Sequence, residues 1–356
     1  PYNETECAAS ALGLNAHTNI NNPTGIFAND KEVLYVMVGG EIEDGASLYL
    51  ASYRGNGNLG GYSDGVELKQ GLNVVASSGE GNNYCINYVV HTFDTSKGRG
   101  NKAKARKLSD YADLKIHIEG GYINGYYNKV GDELYVGEDG GQGDTAADWD
   151  YIEQRATQTT VTILGKYITL QFPLHDAIDS DGHTQKGMSY YLDQVSVEDV
   201  INEWDNVMLW ERLVLGVLDK ETTQAEAKKS PYSDKDYVFE YIGDDNGGFE
   251  SDYGDYYNVH GLSLGIPNSY MYGSWNHCGY NYGTMPSIMV DMLTNAGSHW
   301  GPGHEIGHQH QNLLTVNGLT EVTNNLFANV VLWYFGETTS RVNGTDGSLS
   351  NVLAAY

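Results

Sequence analysis

Two histidines four residues apart, His304 and His308, constrain this chain more than any other feature, because Glu305 directly follows the first of them. Residues at positions i and i+4 share one face of a helix, so both imidazoles can reach a single ion. Pro302, a residue suited to the first turn of a helix, precedes the pair. The spacing predicts a metal-binding helix that runs from Pro302 to about Thr315.

A third metal ligand is expected from the next helix. The apolar run Leu319–Phe335 follows an Asn-Gly turn and is ended by Gly336, and it predicts that helix. Glu321 lies in its first turn, twelve residues after His308. Two histidines and a carboxylate that leave one coordination position open are typical of catalytic zinc. The predicted zinc ligands are therefore His304, His308 and Glu321.

Glu305 and Asn325 are predicted to support these ligands in different ways. Glu305 is too close to His304 to be a comfortable ligand, but it is well placed to take a proton from the metal-bound water. Asn325 shares a helix face with Glu321, and metal-bound histidines usually donate their second N–H to an acceptor. We expect the Asn325 oxygen to accept a hydrogen bond from His304 or His308.

Composition limits the partners that the chain can have. Its 356 residues, 40% of them hydrophobic, are typical of a globular protein with a sizeable core. The net charge of −27, from 20 basic and 47 acidic residues, argues against binding to nucleic acid or to anionic lipid. No stretch approaches the roughly 20 apolar residues of a membrane span, so no membrane insertion is expected within this chain.

The cysteines and the chain start say little about the rest of the protein. The three cysteines, Cys7, Cys85 and Cys278, form no CxxC pair and allow at most one disulfide. The chain starts with Pro1 and shows no signal peptide, so we expect it to be part of a longer protein.

The first 190 residues are predicted to be mostly β, because short Tyr/Val/Leu runs alternate with Gly, Asn and Asp. A short helix over Lys102–Ala112 is the expected exception. Near Ser196 a capping-box-like start and apolar residues at helical spacing predict a helix over 197–218. The predicted strands are Lys31–Val38, Ser47–Tyr53, Gly71–Ser77, Tyr84–Phe93 and two within Thr159–Phe172.

Two further segments carry weaker functional signals. The acidic segment Tyr232–Tyr257 could bind calcium, but its spacing matches no EF-hand loop, and a solvated acidic loop is favoured. Asn268–Thr284 mixes aromatic residues with Gly, Asn and Ser, a combination that holds sugars, although it could instead pack on the metal-binding helix. Its candidate substrate-binding residues are Tyr270, Tyr272, Trp275, His277, Tyr280 and Tyr282.

The remaining histidines are expected to have lesser roles. His310 should point to another face of the helix than His308, and His299 could line the cleft. A donor for the oxyanion is expected from a Tyr or His in residues 260–284, which include His260 and His277.

From His299 to Phe327 the chain reads HWGPGHEIGHQHQNLLTVNGLTEVTNNLF and resembles the M60-like, or enhancin-like, peptidase family. The likeness lies in the HEIGHxxQ core and in the EVTNN that contains the glutamate. Pro23–Phe27, Ile118–Gly121 and the Trp204–Gly216 helix resemble the family as well.

The resemblance implies a gluzincin-like zinc metallopeptidase that is secreted or attached to the bacterial surface and attacks mucins and other O-glycosylated proteins. It implies His304, His308 and Glu321 as zinc ligands and Glu305 as the catalytic residue. Members of the family tend to continue with carbohydrate-binding modules, which would lie outside this chain.

We therefore predict an α+β fold. A β-rich, sandwich-like domain is expected over residues 1–190, followed by a zincin-like catalytic domain over 191–356 that is truncated at its C-terminus. The predicted function is that of a secreted zinc endopeptidase acting on O-glycosylated proteins. Two alternatives stay open, namely a glycoprotein-binding adhesin module with a structural or vestigial zinc site, and a zinc hydrolase of another bond, such as a cell-wall amidase.

Overall fold

The computed structural model describes part of the chain, and every structural statement below concerns that part. The predicted Lys102–Ala112 helix, the acidic segment Tyr232–Tyr257 and His260 lie outside it. The described residues are 22–29, 31–42, 47–54, 66–76, 85–92, 114–129, 143–157, 160–215, 261–267, 270–273, 277–311, 316 and 318–337.

Sheets and helices alternate along these residues. The strands are β1 Asn22–Phe27, β2 Val33–Gly39, β3 Ser47–Arg54, β4 Val66–Leu68, β5 Gly71–Ala76, β6 Cys85–Thr92, β7 Lys115–Glu119, β8 Tyr122–Ile123, β9 Gly125–Asn128, β10 Thr160–Leu164, β11 Ile168–Pro173, β12 Ala177–Ile178, β13 Thr184–Gln185, β14 Gly261–Ile266, β15 Tyr272–Gly273 and β16 Cys278–Asn281. The α-helices are α1 Ala146–Arg155, α2 Met188–Leu192, α3 Val197–Leu215, α4 Trp300–His310, α5 Thr320–Thr323 and α6 Asn325–Tyr334.

Two antiparallel sheets enclose the first core. One has the strand order β4-β3-β6-β1-β8 and the other the order β5-β2-β7. Side chains alternate between buried and exposed along β2, as expected for a sheet with one face on a core. Leu34 and Val36 of β2 share this core with Leu48 and Leu50 of β3, so the two sheets pack against each other.

A six-stranded mixed sheet, ordered β15-β16-β14-β11-β10-β9, builds the second core. The antiparallel β10–β11 hairpin turns at Gly165, and β11 pairs in parallel with β14. β10 and β11 are buried on both faces, as their continuous Val/Ile/Leu/Thr run indicates. Helix α3 covers this sheet with Trp204, whose ring packs edge-on against Tyr280 of β16 and whose Nε1 donates to the carbonyl of Ile288.

The chain passes from one sheet system to the other at Asn124. β8 ends at Ile123 in the five-stranded sheet, and β9 begins at Gly125 in the six-stranded sheet. The buried Asn124 bridges the two, because its backbone N–H donates to the carbonyl of Gly25 and its amide to the hydroxyl of Thr162. The six-stranded sheet thus takes β9, β10 and β11 from before residue 190, and the boundary predicted there runs through the sheet.

Two predicted helices differ from those in the structure. The helix expected to reach Thr315 ends at His310, with Gln311 as its C-cap, and residues 312–315 lie outside the described part. The helix expected over Leu319–Phe335 is divided into α5 and α6 at Asn324. The Thr323 hydroxyl donates to the carbonyls of Leu319 and Thr320, and such competition with the backbone ladder bends helices.

Helix α6 ends next to the glycine that the sequence indicates. Gly336 follows α6 with a φ of 88°, a left-handed conformation that suits a glycine after a helix. Within the described residues, no helix combines the length and the apolar character that crossing a membrane requires.

The Asp205 carboxylate fixes the turn of the β10–β11 hairpin to α3. Its oxygens accept the backbone N–H groups of Lys166 and Tyr167 at 2.8 and 2.7 Å. Burial raises the pKa of Asp205 to about 6, and these N–H groups oppose the shift. A Cβ on Gly165 would meet the carboxylate at 2.6 Å, which explains the glycine in this turn.

We predict that Asp205→Ala lowers the free energy of unfolding by about 2–4 kcal/mol, because two backbone N–H groups of the turn lose a charged acceptor. Asp205→Asn keeps one acceptor oxygen and should lose about half as much. Urea unfolding measures both variants. Equal stability of Asp205→Ala and the wild type would show that the carboxylate does not hold the turn.

Candidate metal centre

Helices α4 and α6 approach each other through two glycines, Gly303 and Gly307. A Cβ on Gly303 would lie 3.1 Å from Cβ of Val331, and one on Gly307 would lie 3.0 Å from Cβ of Phe327. Each glycine inside a helix costs about 1 kcal/mol relative to alanine. Their presence on one face, four residues apart, lets the two backbones come close enough for the histidines of α4 to meet Glu321, which lies in α5 just before α6.

Three ligand atoms converge where these helices meet. Nε2 of His304 and Nε2 of His308 each lie 3.3 Å from Oε2 of Glu321. The three residues are the group of potential metal ligands that the described part of the chain contains, with all ligand atoms within 4.8 Å of one another. The imidazoles are largely buried, whereas the Glu321 side chain is 76% exposed, so the centre opens to solvent on its glutamate side.

The hydrogen bonds of the Asn325 amide indicate which ring nitrogen of His304 carries the proton. The Asn325 amide nitrogen donates to the carbonyl of Glu321 at 2.9 Å, which leaves its oxygen 3.0 Å from Nδ1 of His304. Nδ1 must therefore carry the proton and donate it to Asn325. The lone pair of the ring is then on Nε2, the atom that faces Glu321.

The hydrogen bonds of the Asn324 amide likewise bear on which ring nitrogen of His308 carries a proton. The Asn324 amide nitrogen donates to the carbonyl of His304 at 3.1 Å and lies 2.9 Å from Nε2 of His308. Since an amide nitrogen only donates, Nε2 of His308 also presents a lone pair. Burial lowers the pKa of His308, which favours this neutral ring.

These residues fit a zinc ion. Two imidazole nitrogens and a carboxylate oxygen lie around one point, an arrangement that a cation would stabilise. Tetrahedral zinc with bonds of about 2.0–2.1 Å holds its ligand atoms about 3.3 Å apart, close to the separations described above. His304, His308 and Glu321 are thus suited to hold the ion, with the solvent side left for other ligands.

Glu305 is 5% exposed beside this centre. Burial, followed by the negative charge of Glu321, raises the pKa of Glu305 to about 8, while the backbone N–H of Gly273 opposes the shift. A cation at the centre would also oppose it. Strand β15 lies directly on α4 at this point, since a Cβ on Gly273 would be 2.7 Å from the carbonyl oxygen of Glu305.

The predicted aromatic segment divides between the two faces of the sheet. Gly273 faces α4, so Tyr272 beside it faces the opposite side. There its ring covers Gly279, the residue that pairs with it, and its hydroxyl lies 3.1 Å from Nε2 of His277. His277 is buried, which lowers its pKa to about 4. Neither Tyr272 nor His277 faces the metal centre, so neither is placed to donate to an oxyanion there.

The other candidates of this segment differ in exposure. Tyr280 is 0% exposed in the core against Trp204, because β16 turns it inwards, and it presents no surface there to a substrate. Tyr270 is 58% exposed and lies 5.9 Å from the ring of Tyr272, whereas Tyr282 is partly buried against the core. Trp275 lies outside the described residues.

Two histidines next to the centre have structural partners. Nδ1 of the buried His310 lies 2.6 Å from Oε2 of the buried Glu211 on α3, on another helix face than His308 as expected. His299, expected to line the cleft, is instead buried. Its Nε2 lies 2.7 Å from Glu203, and its ring stacks on Phe335.

Sequence reasoning missed three side chains that contact the histidines. The Trp300 ring stacks on that of His304 with centroids 4.5 Å apart. Asn324 joins the two histidines as described, and the Gln311 amide lies 2.8 Å from Nδ1 of His308. Helical spacing contains a signal for two of them, because Gln311 comes three residues after His308 and Asn324 three residues after Glu321.

We predict that Gly307→Ala weakens zinc binding and lowers the free energy of unfolding by about 1–2 kcal/mol, because its Cβ forces α6 away from α4. Gly301→Ala is the matched control, since its Cβ would meet only the flexible end of Met271 at 3.4 Å. Zinc titration and urea unfolding test both variants. The same zinc affinity in Gly307→Ala as in Gly301→Ala would contradict the role given to close helix packing.

Part of the chain matches the sequence model of a known protein family. The sequence model of the family described as "Peptidase M60, enhancin and enhancin-like" matches residues 190–345. No curated protein matches the chain.

Solved structures of several metallopeptidases share the fold. A metallopeptidase from Bacteroides thetaiotaomicron has a TM-score of 0.65 at 20% identity, covering 96% of this chain and 47% of that one. A metallopeptidase in complex with Tn antigen has a TM-score of 0.64 at 21% identity, with 96% and 52% covered. The M60 catalytic domain of Clostridium perfringens ZmpC, in complex with the sialyl T antigen, has a TM-score of 0.53 at 15% identity, with 97% and 57% covered.

The chain spans about half the length of the first two of these structures, and over that half it has their mixed fold of sheets and helices. The family resemblance predicted from the HEIGHxxQ and EVTNN motifs is confirmed: residues 190–345 match the model of the M60, enhancin and enhancin-like peptidases.

Proposed function

We propose that this chain is the catalytic part of a zinc-dependent endopeptidase, with zinc held by His304, His308 and Glu321. The observation that carries the proposal is the convergence of two imidazole nitrogens and a carboxylate oxygen on one point. When bound, zinc would act as a Lewis acid on the scissile carbonyl and make water nucleophilic near neutral pH. The exposed Glu321 side leaves room for a substrate, whereas a structural zinc site is closed by four protein ligands.

Glu305 is the proposed general base. It follows a ligand on the same helix, and its burial makes proton transfer to its carboxylate favourable. It takes the proton of the attacking water and then delivers that proton to the leaving amine. The backbone N–H of Gly273, which hydrogen-bonds the carboxylate, limits its orientation.

The proposed substrates are O-glycosylated proteins outside the cell. Two structures that share this fold are complexes, one with the Tn antigen and the other with the sialyl T antigen. In this chain the exposed Tyr270 offers an aromatic face to a sugar, and Tyr282 and Trp275 are further candidates. The protein would then act as a secreted or surface-attached enzyme.

We predict that Glu305→Gln retains zinc but cleaves about 10²–10⁴-fold more slowly, because the amide cannot accept the proton. The assay compares an intact mucin-type O-glycoprotein with its enzymatically deglycosylated form, with and without a chelator. Chelator-sensitive cutting of the intact form alone would support glycan-dependent peptidase activity. Full activity of Glu305→Gln would remove Glu305 from its role, and zinc binding without cutting of either form would favour a glycoprotein-binding module.

We predict that His308→Ala loses both stoichiometric zinc and activity, because only two ligands remain. His183→Ala is the matched control, since the His183 side chain is 73% exposed and pairs only with Asp179. Elemental analysis after dialysis measures the zinc content. Zinc retained at wild-type stoichiometry by His308→Ala would place the ion elsewhere.

A further inference from the structure

His299 lies one residue before α4, the helix that carries the two metal-binding histidines. It is the last residue of a short 3-10 turn, and its side chain is 1% exposed. Its Nδ1 lies 2.9 Å from the carbonyl oxygen of Ala296, and its Nε2 lies 2.7 Å from Oε1 of Glu203 on α3. The ring also stacks on Phe335, with centroids 3.5 Å apart. His299 therefore joins the start of α4 both to α3 and to the end of α6.

Both ring nitrogens of His299 face oxygen atoms. A carbonyl oxygen only accepts, so Nδ1 carries a proton and donates it to Ala296. Nε2 and the Glu203 oxygen share a second proton, because two lone pairs 2.7 Å apart would repel each other. A hydrogen bond between two ionisable groups is stronger than one between neutral groups. The contact between α3 and the start of α4 is therefore a strong one.

Helix α4 and the α5–α6 segment run antiparallel, and they face each other once per turn. The facing pairs, from the start of α4 to its C-cap, are His299 with Phe335, Gly303 with Val331, Gly307 with Phe327 and Gln311 with Thr323. Helices resist sliding when side chains of one fit between those of the other, and the glycines of the two middle pairs have no side chain to do so. The position of α4 along α6 therefore depends on the two ends of this row.

Trp300 connects the His299 end of the row to the metal centre. Its ring stacks on that of His304, with centroids 4.5 Å apart and 26° between the planes. Because His299 holds the backbone from which Trp300 projects, it also determines where the two rings meet. A shift of α4 along its own axis would move His304 and His308 away from Glu321, whose Oε2 lies 3.3 Å from Nε2 of each ring.

We propose that His299 is a positioning residue for the metal centre, and that its hydrogen bond with Glu203 holds α4 where both of its histidines meet Glu321. The inference rests on the proposed function, because it concerns the ligands of that centre. Neither His299 nor Glu203 belongs to the ligand set. Both act through the helix that carries two of the ligands.

Zinc affinity, measured by competition with a chromophoric chelator, tests this inference independently of peptidase activity. Glu203→Met removes the hydrogen bond at similar side-chain length. It should weaken zinc binding about tenfold, the lower end of the effect of losing a partner of a ligating histidine. Glu203→Gln should bind zinc like the wild type, because its amide nitrogen can donate to Nε2 of His299 while Nδ1 still donates to Ala296.

His299 itself supplies a second variant. His299→Phe keeps a ring against Phe335 but removes both hydrogen bonds, so it should weaken zinc binding by a similar factor. The double variant with His299→Phe and Glu203→Met should bind zinc no more weakly than His299→Phe alone, because the two changes remove the same hydrogen bond.

Asp205→Ala is the matched control for a loss of stability. Asp205 lies on α3 as Glu203 does, but it holds the β10–β11 turn rather than α4. This variant should unfold at a lower temperature and still bind zinc with wild-type affinity. Thermal unfolding of every variant establishes that it is folded at the temperature of the zinc titration, and the two Glu203 variants decide the test if His299→Phe does not fold.

The outcomes separate the inference from the function on which it rests. A wild type that binds zinc while Glu203→Met and His299→Phe bind it equally tightly overturns the positioning role alone. A wild type that binds no zinc overturns the metal centre and the inference together. Zinc binding weakened as much in Asp205→Ala as in Glu203→Met would reduce the effect to lost stability, and Glu203→Gln as weak as Glu203→Met would overturn the role of the hydrogen bond.

Discussion

The close approach of α4 and α6 is the constraint on which the candidate site depends. Neither helix holds the complete ligand set, because α4 carries His304 and His308 while Glu321 precedes α6. Gly303 and Gly307 remove the side chains that would otherwise separate the two backbones. The sequence accepts two poor helix formers in the middle of its metal-binding helix, and the closer packing offsets that cost. The buried pair of Glu211 and His310 adds a third helix, α3, behind the same surface.

At the division between α5 and α6, three consecutive residues contact α4 or its C-cap residue. Thr323 contacts Gln311, Asn324 contacts both histidines, and Asn325 contacts His304. Consecutive residues of a straight helix point about 100° apart, so a straight helix could not place all three on one neighbour as easily. The hydroxyl of Thr323 both bends the chain here and joins the hydrogen bonds around the ligands.

Features set by local spacing could be predicted from the sequence, whereas features set by long-range pairing could not. Strands such as β2 and β3, the α4 helix and the spacing of Glu321 from His308 all follow from nearby residues. The alternation along β16 predicts that Cys278 and Tyr280 share a face, but only the pairing with β14 and the packing of α3 show that this face is the core. The end of α4 at His310 and the division at Asn324 coincide with side-chain hydrogen bonds of Gln311, Thr323 and Asn324, which helical periodicity does not contain.

The six-stranded sheet extends beyond the stretch of this chain that matches the family model. The stretch that sequence comparison identifies begins at residue 190, yet β14 takes its partner, β11, from Ile168–Pro173. A fragment cut at residue 190 would lose three of the six strands and would expose the buried side of β14 as an open edge, which invites aggregation. The stretch that matches the family model is therefore shorter than the stretch that builds the sheet, which in this chain begins next to Asn124.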